Sequence, residues 1–182
     1  MKRESGIWIV ALVFALLFTG CNNKPRQADI TEEKVEESST LFYIVRHAEK
    51  AIVENDPDPL LSEEGFLRAE RLKRMLWDSP PDVIFSSDFQ RNYLTAKPLA
   101  DALGIEILRY DPRDSPTLVS RIFQEHPAKR VLIIGHSNTV PGLVNILIWE
   151  DKYADLDETE YSKLFVVKAQ KNRAGEVLVL NF

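Results

Sequence analysis

Arg46 and His47 stand at the end of the apolar run 41–45, and His136 closes a second such run, 131–135. The chain holds three histidines, so two of them sit where strands are predicted to end. A third segment, Phe85-Ser86-Ser87-Asp88-Phe89-Gln90-Arg91, places another arginine just past an apolar run. A guanidinium offers planar, permanently charged donors that match phosphoryl oxygens, and a neutral imidazole is a nucleophile that needs no deprotonation. Two arginines and two imidazoles brought to one point would hold a phosphoryl group, with one imidazole free to attack phosphorus.

A parallel sheet could bring them together. Apolar runs alternate with stretches of helical periodicity, which implies an α/β fold, and open α/β sheets bind ligands beyond the carboxyl ends of their strands. Strands are predicted at 41–46, 82–86, 105–110 and 131–135. Helices are predicted from about Ser62, over 88–103 with Gly104 as the stop, over 116–126, and from Asn138 to Trp149. Ser62 suits an N-cap, with Glu63 and Glu64 well placed in the first turn. Phe66, Ala69, Leu72 and Leu76 recur at helical spacing and are expected to face the sheet. Pro98 is expected to kink the second helix, and Trp77 and Trp149 read as core anchors. The helix from Asn138 would aim its first amides at an anion beside His136. His126, just before Pro127, reads as a helix-end or surface residue rather than a ligand. The tail, 163–170 and 176–182 around Asn172-Arg173-Ala174-Gly175, reads as a hairpin or paired edge strands.

Arg46-His47-Ala48-Glu49-Lys50, Ser86-Ser87 through Arg91, and Gly135-His136-Ser137-Asn138, in this order and spacing, resemble the histidine phosphatase superfamily, also called the phosphoglycerate-mutase-like fold. Leu61-Ser62-Glu63-Glu64-Gly65, with Ala69 after it, resembles the start of the family's first helix. The resemblance covers nearly everything from Leu41 to Phe182. It implies one domain over 41–182, a three-layer α/β/α sandwich with a mostly parallel sheet. It also implies phosphomonoester hydrolysis through a phosphohistidine on His47, with Arg46, Arg91 and His136 on the phosphoryl oxygens, and with no metal or other cofactor. Ser87 would add a hydroxyl donor or serve as a helix cap. Family members acting on alkyl phosphates usually carry an acid for the leaving oxygen. Asp111 and Asp114, then Glu49, are the reachable candidates, and each could equally be a turn former, leaving no acid at all.

The resemblance implies a small phosphorylated metabolite as substrate, with phosphohistidine on a protein as the second substrate class. A tethered phosphate-binding protein without turnover is the non-enzymatic alternative. A mutase would need a second phosphate site, and the short segment between Arg91 and His136 offers little material for a lid.

Lys2 and Arg3 precede the apolar run 7–18, which is long enough for a signal core and short for a membrane span, and Thr19-Gly20-Cys21 follows. This arrangement resembles a bacterial lipoprotein signal. It implies removal of residues 1–20, a lipid on Cys21, and a domain held at a membrane facing the periplasm or cell surface. Cys21 is the only cysteine, so the body has neither an intramolecular disulfide nor a catalytic thiol. Residues 21–40 are polar and read as a tether. The chain is 45% hydrophobic and 28% charged, as globular proteins are. Its net charge of −5, one unit more negative without residues 1–20, argues against nucleic acid as a partner.

Competing motifs are incomplete. Gly135-His136-Ser137-Asn138-Thr139 lacks the final glycine of a serine-hydrolase elbow. His47-Ala48-Glu49 lacks the paired cysteines of the zinc deaminases, and no Gly-rich nucleotide loop with a following Lys-Ser/Thr is present.

Overall fold

Large apolar and β-branched residues fill both faces of the central strands, and the two-residue period of a strand sorts them into two separate cores. The structure is a computed structural model that describes residues 38–182. Residues 1–20, Cys21 and most of the tether lie outside the described residues. The elements run β1 (Thr40–Arg46), α1 (Glu63–Met75), β2 (Val83–Ser87), α2 (Gln90–Leu103), β3 (Ile107–Tyr110), α3 (Ser115–Glu125), β4 (Arg130–Gly135), α4 (Thr139–Ile148), β5 (Lys163–Gln170) and β6 (Arg173–Asn181). The strands form one sheet in the order β3-β2-β4-β1-β5-β6, parallel through β1 and antiparallel for β5 and β6. Along β1, Phe42 and Ile44 join the core beneath α3 and α4, while Tyr43 and Val45 join the one beneath α1 and α2. The architecture is thus a three-layer α/β/α sandwich with a mostly parallel sheet, and the last two strands form the hairpin expected of the tail.

In α1 the Ser62 side chain accepts from the Gly65 amide, and Glu63 and Glu64 fill the first turn. Its buried stripe is Gly65, Ala69 and Leu72, continued by Leu76 just past the helix. Phe66 lies about 100° further round and is exposed, contrary to expectation, because Gly65 takes the inward position. A side chain there is excluded, since an added Cβ would overlap the Glu49 carbonyl oxygen. Trp77 and Trp149 also depart from expectation, being 53% and 63% exposed. Leu76 has already completed the inward stripe when Trp77 follows, and Trp149 is the left-handed C-cap of α4, φ 58°, one residue beyond inward-facing Ile148. Helix α2 continues through Pro98 and stops at Gly104, whose φ of 67° favours glycine.

Between α4 and β5, residues 149–162 form neither helix nor strand, and no periodicity in their sequence announces where they go, yet they are firmly held. The Asn145 side chain donates to Asp151 Oδ1 and Tyr153 O and accepts from the amides of Lys152 and Tyr153. The Tyr153 ring packs edge-on against Phe165, and the Leu156 amide donates to Ser137 O at 2.9 Å. This segment therefore returns to the carboxyl ends of β1 and β4.

Candidate active site

Strand pairing determines where the chemistry can occur. In the parallel β1–β4 register, Arg46 is opposite Gly135, and the next amide, that of His47, donates to Gly135 O at 2.9 Å. His47 and His136 are therefore brought side by side by the last rung of one ladder, with ring centroids 5.4 Å apart at 69°. Two buried residues of α2 brace this junction. Asn92 Nδ2 donates to Ile134 O and Gly135 O, at 3.2 and 2.9 Å. Thr95 Oγ1 accepts from the Ala48 amide and donates to Arg91 O, at 2.9 and 2.7 Å. Neither residue stands out in the sequence, because an Asn or Thr within a helix has no signature until the helix is docked.

His47 is 4% exposed, and its Nδ1 lies 2.8 Å from Ala48 O. A carbonyl oxygen can only accept, so Nδ1 carries the proton and Nε2 keeps its lone pair. Burial lowers the pKa of His47 to about 3, and the charges of Arg91, Arg46 and His136 push the same way. His136 falls to about 4, first through burial and then through Arg91 and Arg46. Both rings are neutral at physiological pH. The Ser87 hydroxyl lies 2.9 Å from His136 Nε2 and is fully buried. Ser87 therefore fixes the second imidazole rather than capping α2, whose N-cap, Phe89, makes no side-chain capping bond.

The two arginines are held differently. Arg46 is 3% exposed; its Nη1 donates to the carbonyls of Asp157, Glu158 and Glu160, its Nη2 to Glu158 Oε2, and Tyr161 lies 4.2 Å under the guanidinium. Arg91 lies 4.4 Å over the Phe89 ring and reaches Asp58 at 3.3 Å, while Phe89 meets His136 edge-on at 5.0 Å. The Nε atoms of both arginines are buried without a hydrogen-bond partner among the described residues. Unsatisfied guanidinium donors are costly, and two of them beside neutral imidazoles mark a site prepared for an anion. These side chains line a cavity of about 650 Å³, whose walls also include Lys50, Arg113, Asp155 and Glu158.

Two expectations at the site change. The amides of Thr139 and Val140 both turn back onto His136 O, at 3.2 and 3.1 Å, so α4 supplies its dipole to the cavity but not those two donors. The candidate acids are all engaged elsewhere. Asp111 is gripped by the Arg113 guanidinium and amide, which hold its carboxyl at about 2, and it does not line this cavity. Asp114 caps α3 by accepting from the Thr117 amide, and Glu49 turns away into an ion pair with Arg68. A part of the wall that no motif connects with the site is contributed by Asp155, Leu156 and Glu158.

Neutral buried imidazoles make stability depend on pH. Both folded pKa values lie below the unfolded value of 6.5, so above that pH neither state binds these protons. As the pH falls below 6.5 the unfolded chain takes up protons that the folded one refuses, and stability declines until about pH 3 to 4. Each tenfold loss of proton affinity on folding corresponds to about 1.4 kcal/mol, so the decline is on the order of several kcal/mol, with the partly exposed His136 contributing the smaller share. Denaturant midpoints measured from pH 7 to about 4.5 should fall steadily in the wild type, and His47→Gln should flatten the slope. An equal slope in both would contradict a neutral, buried His47.

Comparison with known proteins gives a consistent picture. A model of the histidine phosphatase superfamily (branch 1) matches residues 42–113. Phosphoserine phosphatase 1 of Hydrogenobacter thermophilus is 40% identical over 76 residues, 37% of this chain and 35% of that protein, so the match spans about a third of the curated relative. The solved structure of SixA from Agrobacterium tumefaciens is 26% identical, with a TM-score of 0.59 over 78% of this chain and 98% of that one. The protein histidine phosphatase SixA complexed with tungstate is 18% identical, with a TM-score of 0.64 over 78% of this chain and 96% of that one. The fold is the phosphoglycerate-mutase-like α/β sandwich of these neighbours.

Proposed function

We propose that the chain is a histidine phosphatase that hydrolyses phosphomonoesters through a phosphohistidine on His47. The observation that carries this reading is the neutral Nε2 of His47 beside buried Arg46 and half-buried Arg91, whose Nε atoms are buried with no partner among the described residues. In the first step the Nε2 lone pair attacks phosphorus, the bond to the leaving oxygen breaks, and that oxygen departs as an anion that takes a proton from solvent water. In the second step water attacks phosphorus, the P–N bond breaks, and inorganic phosphate leaves with His47 neutral again. Arg46, Arg91 and His136 bear on the equatorial oxygens, where the transition-state charge spreads. Two guanidinium charges do the work a metal ion would otherwise do, so turnover should survive a chelator.

The substrate class depends on the leaving group. With Asp111, Asp114 and Glu49 all engaged, none of the three expected acids is placed to protonate a leaving oxygen, which favours groups that leave without one, such as aryl phosphates or phosphohistidine itself, over alkyl phosphates. That observation supports the second reading, a phosphohistidine phosphatase, as does the likeness to SixA from Agrobacterium tumefaciens. The matched phosphoserine phosphatase supports a small alkyl phosphate. The test is turnover of an aryl and an alkyl phosphate by the whole chain with chelator present, repeated for Asp111→Asn. We expect the aryl substrate to be faster and Asp111→Asn to change neither rate more than about twofold, since surface changes away from the chemistry cost little. A selective loss on the alkyl substrate would restore Asp111 as the acid.

The proposal includes placement. Residues 1–20 would be a lipoprotein-type signal, Cys21 the lipidated residue, residues 21–40 the tether and 41–182 the catalytic domain, facing the periplasm or cell surface. Its support is the order of Lys2-Arg3, the apolar run 7–18 and Cys21. The mature protein should begin at Cys21 and carry the mass of its acyl chains, and Cys21→Ser should lose both the lipid and the membrane association.

A further inference from the structure

Irregular segments as long as 149–162 are uncommon in compact domains unless they have a function. This one brings two carboxylates, Asp155 and Glu158, to the cavity wall, and of these Glu158 reaches an arginine of the site. Glu158 Oε2 lies 3.0 Å from Arg46 Nη2, and Oε1 accepts from the Ser137 hydroxyl at 2.8 Å. The side chain is otherwise 74% exposed, so these two bonds alone hold it across the mouth of the site. The backbone that carries it is fixed independently, because the carbonyls of Asp157, Glu158 and Glu160 all accept from Arg46 Nη1. Arg46 thus has one terminal guanidinium nitrogen, Nη1, committed to structure and the other, Nη2, to a removable anion.

Building on the phosphatase reading, we propose that Glu158 is an internal competitor for the phosphoryl subsite. It occupies Arg46 Nη2 in the free enzyme, yields to the substrate, and returns to expel inorganic phosphate. A carboxylate and a phosphoryl oxygen want the same donor, and two anions cannot share it without strong repulsion. Displacement needs only rotation of an exposed side chain into water, with no backbone movement. The competitor lowers the affinity for substrate and product alike, and its value lies in the second effect, since a site built for dianions would otherwise retain its product. A general acid in the same place would act differently: it would need a proton, and Glu158 is held ionised by Ser137 and Arg46.

The experiment is to measure dissociation constants for inorganic phosphate and orthovanadate, together with steady-state kinetics on an aryl phosphate, for the whole chain and for Glu158→Gln. We expect the variant to bind both oxyanions about tenfold more tightly, with KM falling and product inhibition by phosphate becoming stronger. Unchanged or weaker oxyanion binding in a folded variant would overturn the proposal and leave Glu158 as a support for Arg46. A fall in kcat on alkyl phosphates with oxyanion affinity unmoved would also overturn it, in favour of an acid. Binding by the variant alone would support the competitor in its strongest form. No oxyanion binding by either protein, with no wild-type turnover, would sink this proposal and the phosphatase reading together. If wild-type turnover is intact, only the role of Glu158 is at issue.

Discussion

Replacing His47 with alanine should lower kcat/KM on an aryl phosphate by about 10⁴-fold or more and abolish the phosphoenzyme. The wild type, quenched in alkali during turnover of labelled substrate, should retain label on the protein, and acid should release it as expected for a P–N bond. The size of the effect follows from the geometry. Nδ1 is committed to Ala48 O at 2.8 Å, so the reactive lone pair is already on Nε2 and aimed at the cavity. The Nε2 of His136, by contrast, is engaged with the Ser87 hydroxyl at 2.9 Å. A His47→Ala protein that kept its activity, or a wild type that never carried label, would remove the covalent mechanism. The residual binding of inorganic phosphate by the variant would then show whether the arginine site survives on its own.

The second large effect is expected at Arg91. Arg91→Ala should reduce kcat/KM by about 10² to 10³-fold, mostly through kcat, as loss of one preorganised donor typically does. Arg91→Lys should recover little, since a lysine cannot present a planar fork or lie flat over Phe89. The protein should remain folded. Asp58, the partner of Arg91, would still cap α2 through the Gln90 amide at 3.0 Å. Arg46 would be a poorer test of chemistry, because removing it strands three carbonyls and unmakes the wall that carries Glu158. A loss confined to KM at Arg91 would mean that the residue binds substrate and transition state equally, and not that it answers the charge that develops in the reaction.

Much of this arrangement could be read from the residues themselves. The strands ending at Arg46 and Gly135, the Ser62 cap, the Gly104 stop and the closing hairpin all follow from local pattern, and the sheet rule then brings Arg46, His47, Arg91 and His136 to one edge. Local pattern does not say which of several polar groups a side chain will choose once the chain is folded. Asp111 could have faced the cavity or Arg113, and a two-residue separation made the arginine the nearer partner. Ser87 could have capped a helix or met an imidazole, and the register of β2 beside β4 decided for the imidazole. Gly65 against Phe66 was a contest between a backbone approach and a hydrophobic side chain, and the backbone approach won. Segment 149–162 has no periodicity to read, and its place depends on Asn145, Tyr153 and Leu156 finding their partners, some of them distant in sequence.

The bond from the His47 amide to Gly135 O joins residues separated by nearly half the chain, and it closes only after β4 has slotted between β1 and β2. Closing so long a loop is among the slowest events available to a folding chain, because its entropy is lost before the contact is gained. Helical signal should therefore return early during refolding, while the two imidazoles are still far apart. Catalytic competence would come late and all at once, because β1 and α2 carry His47 and Arg91 but His136 arrives only with β4.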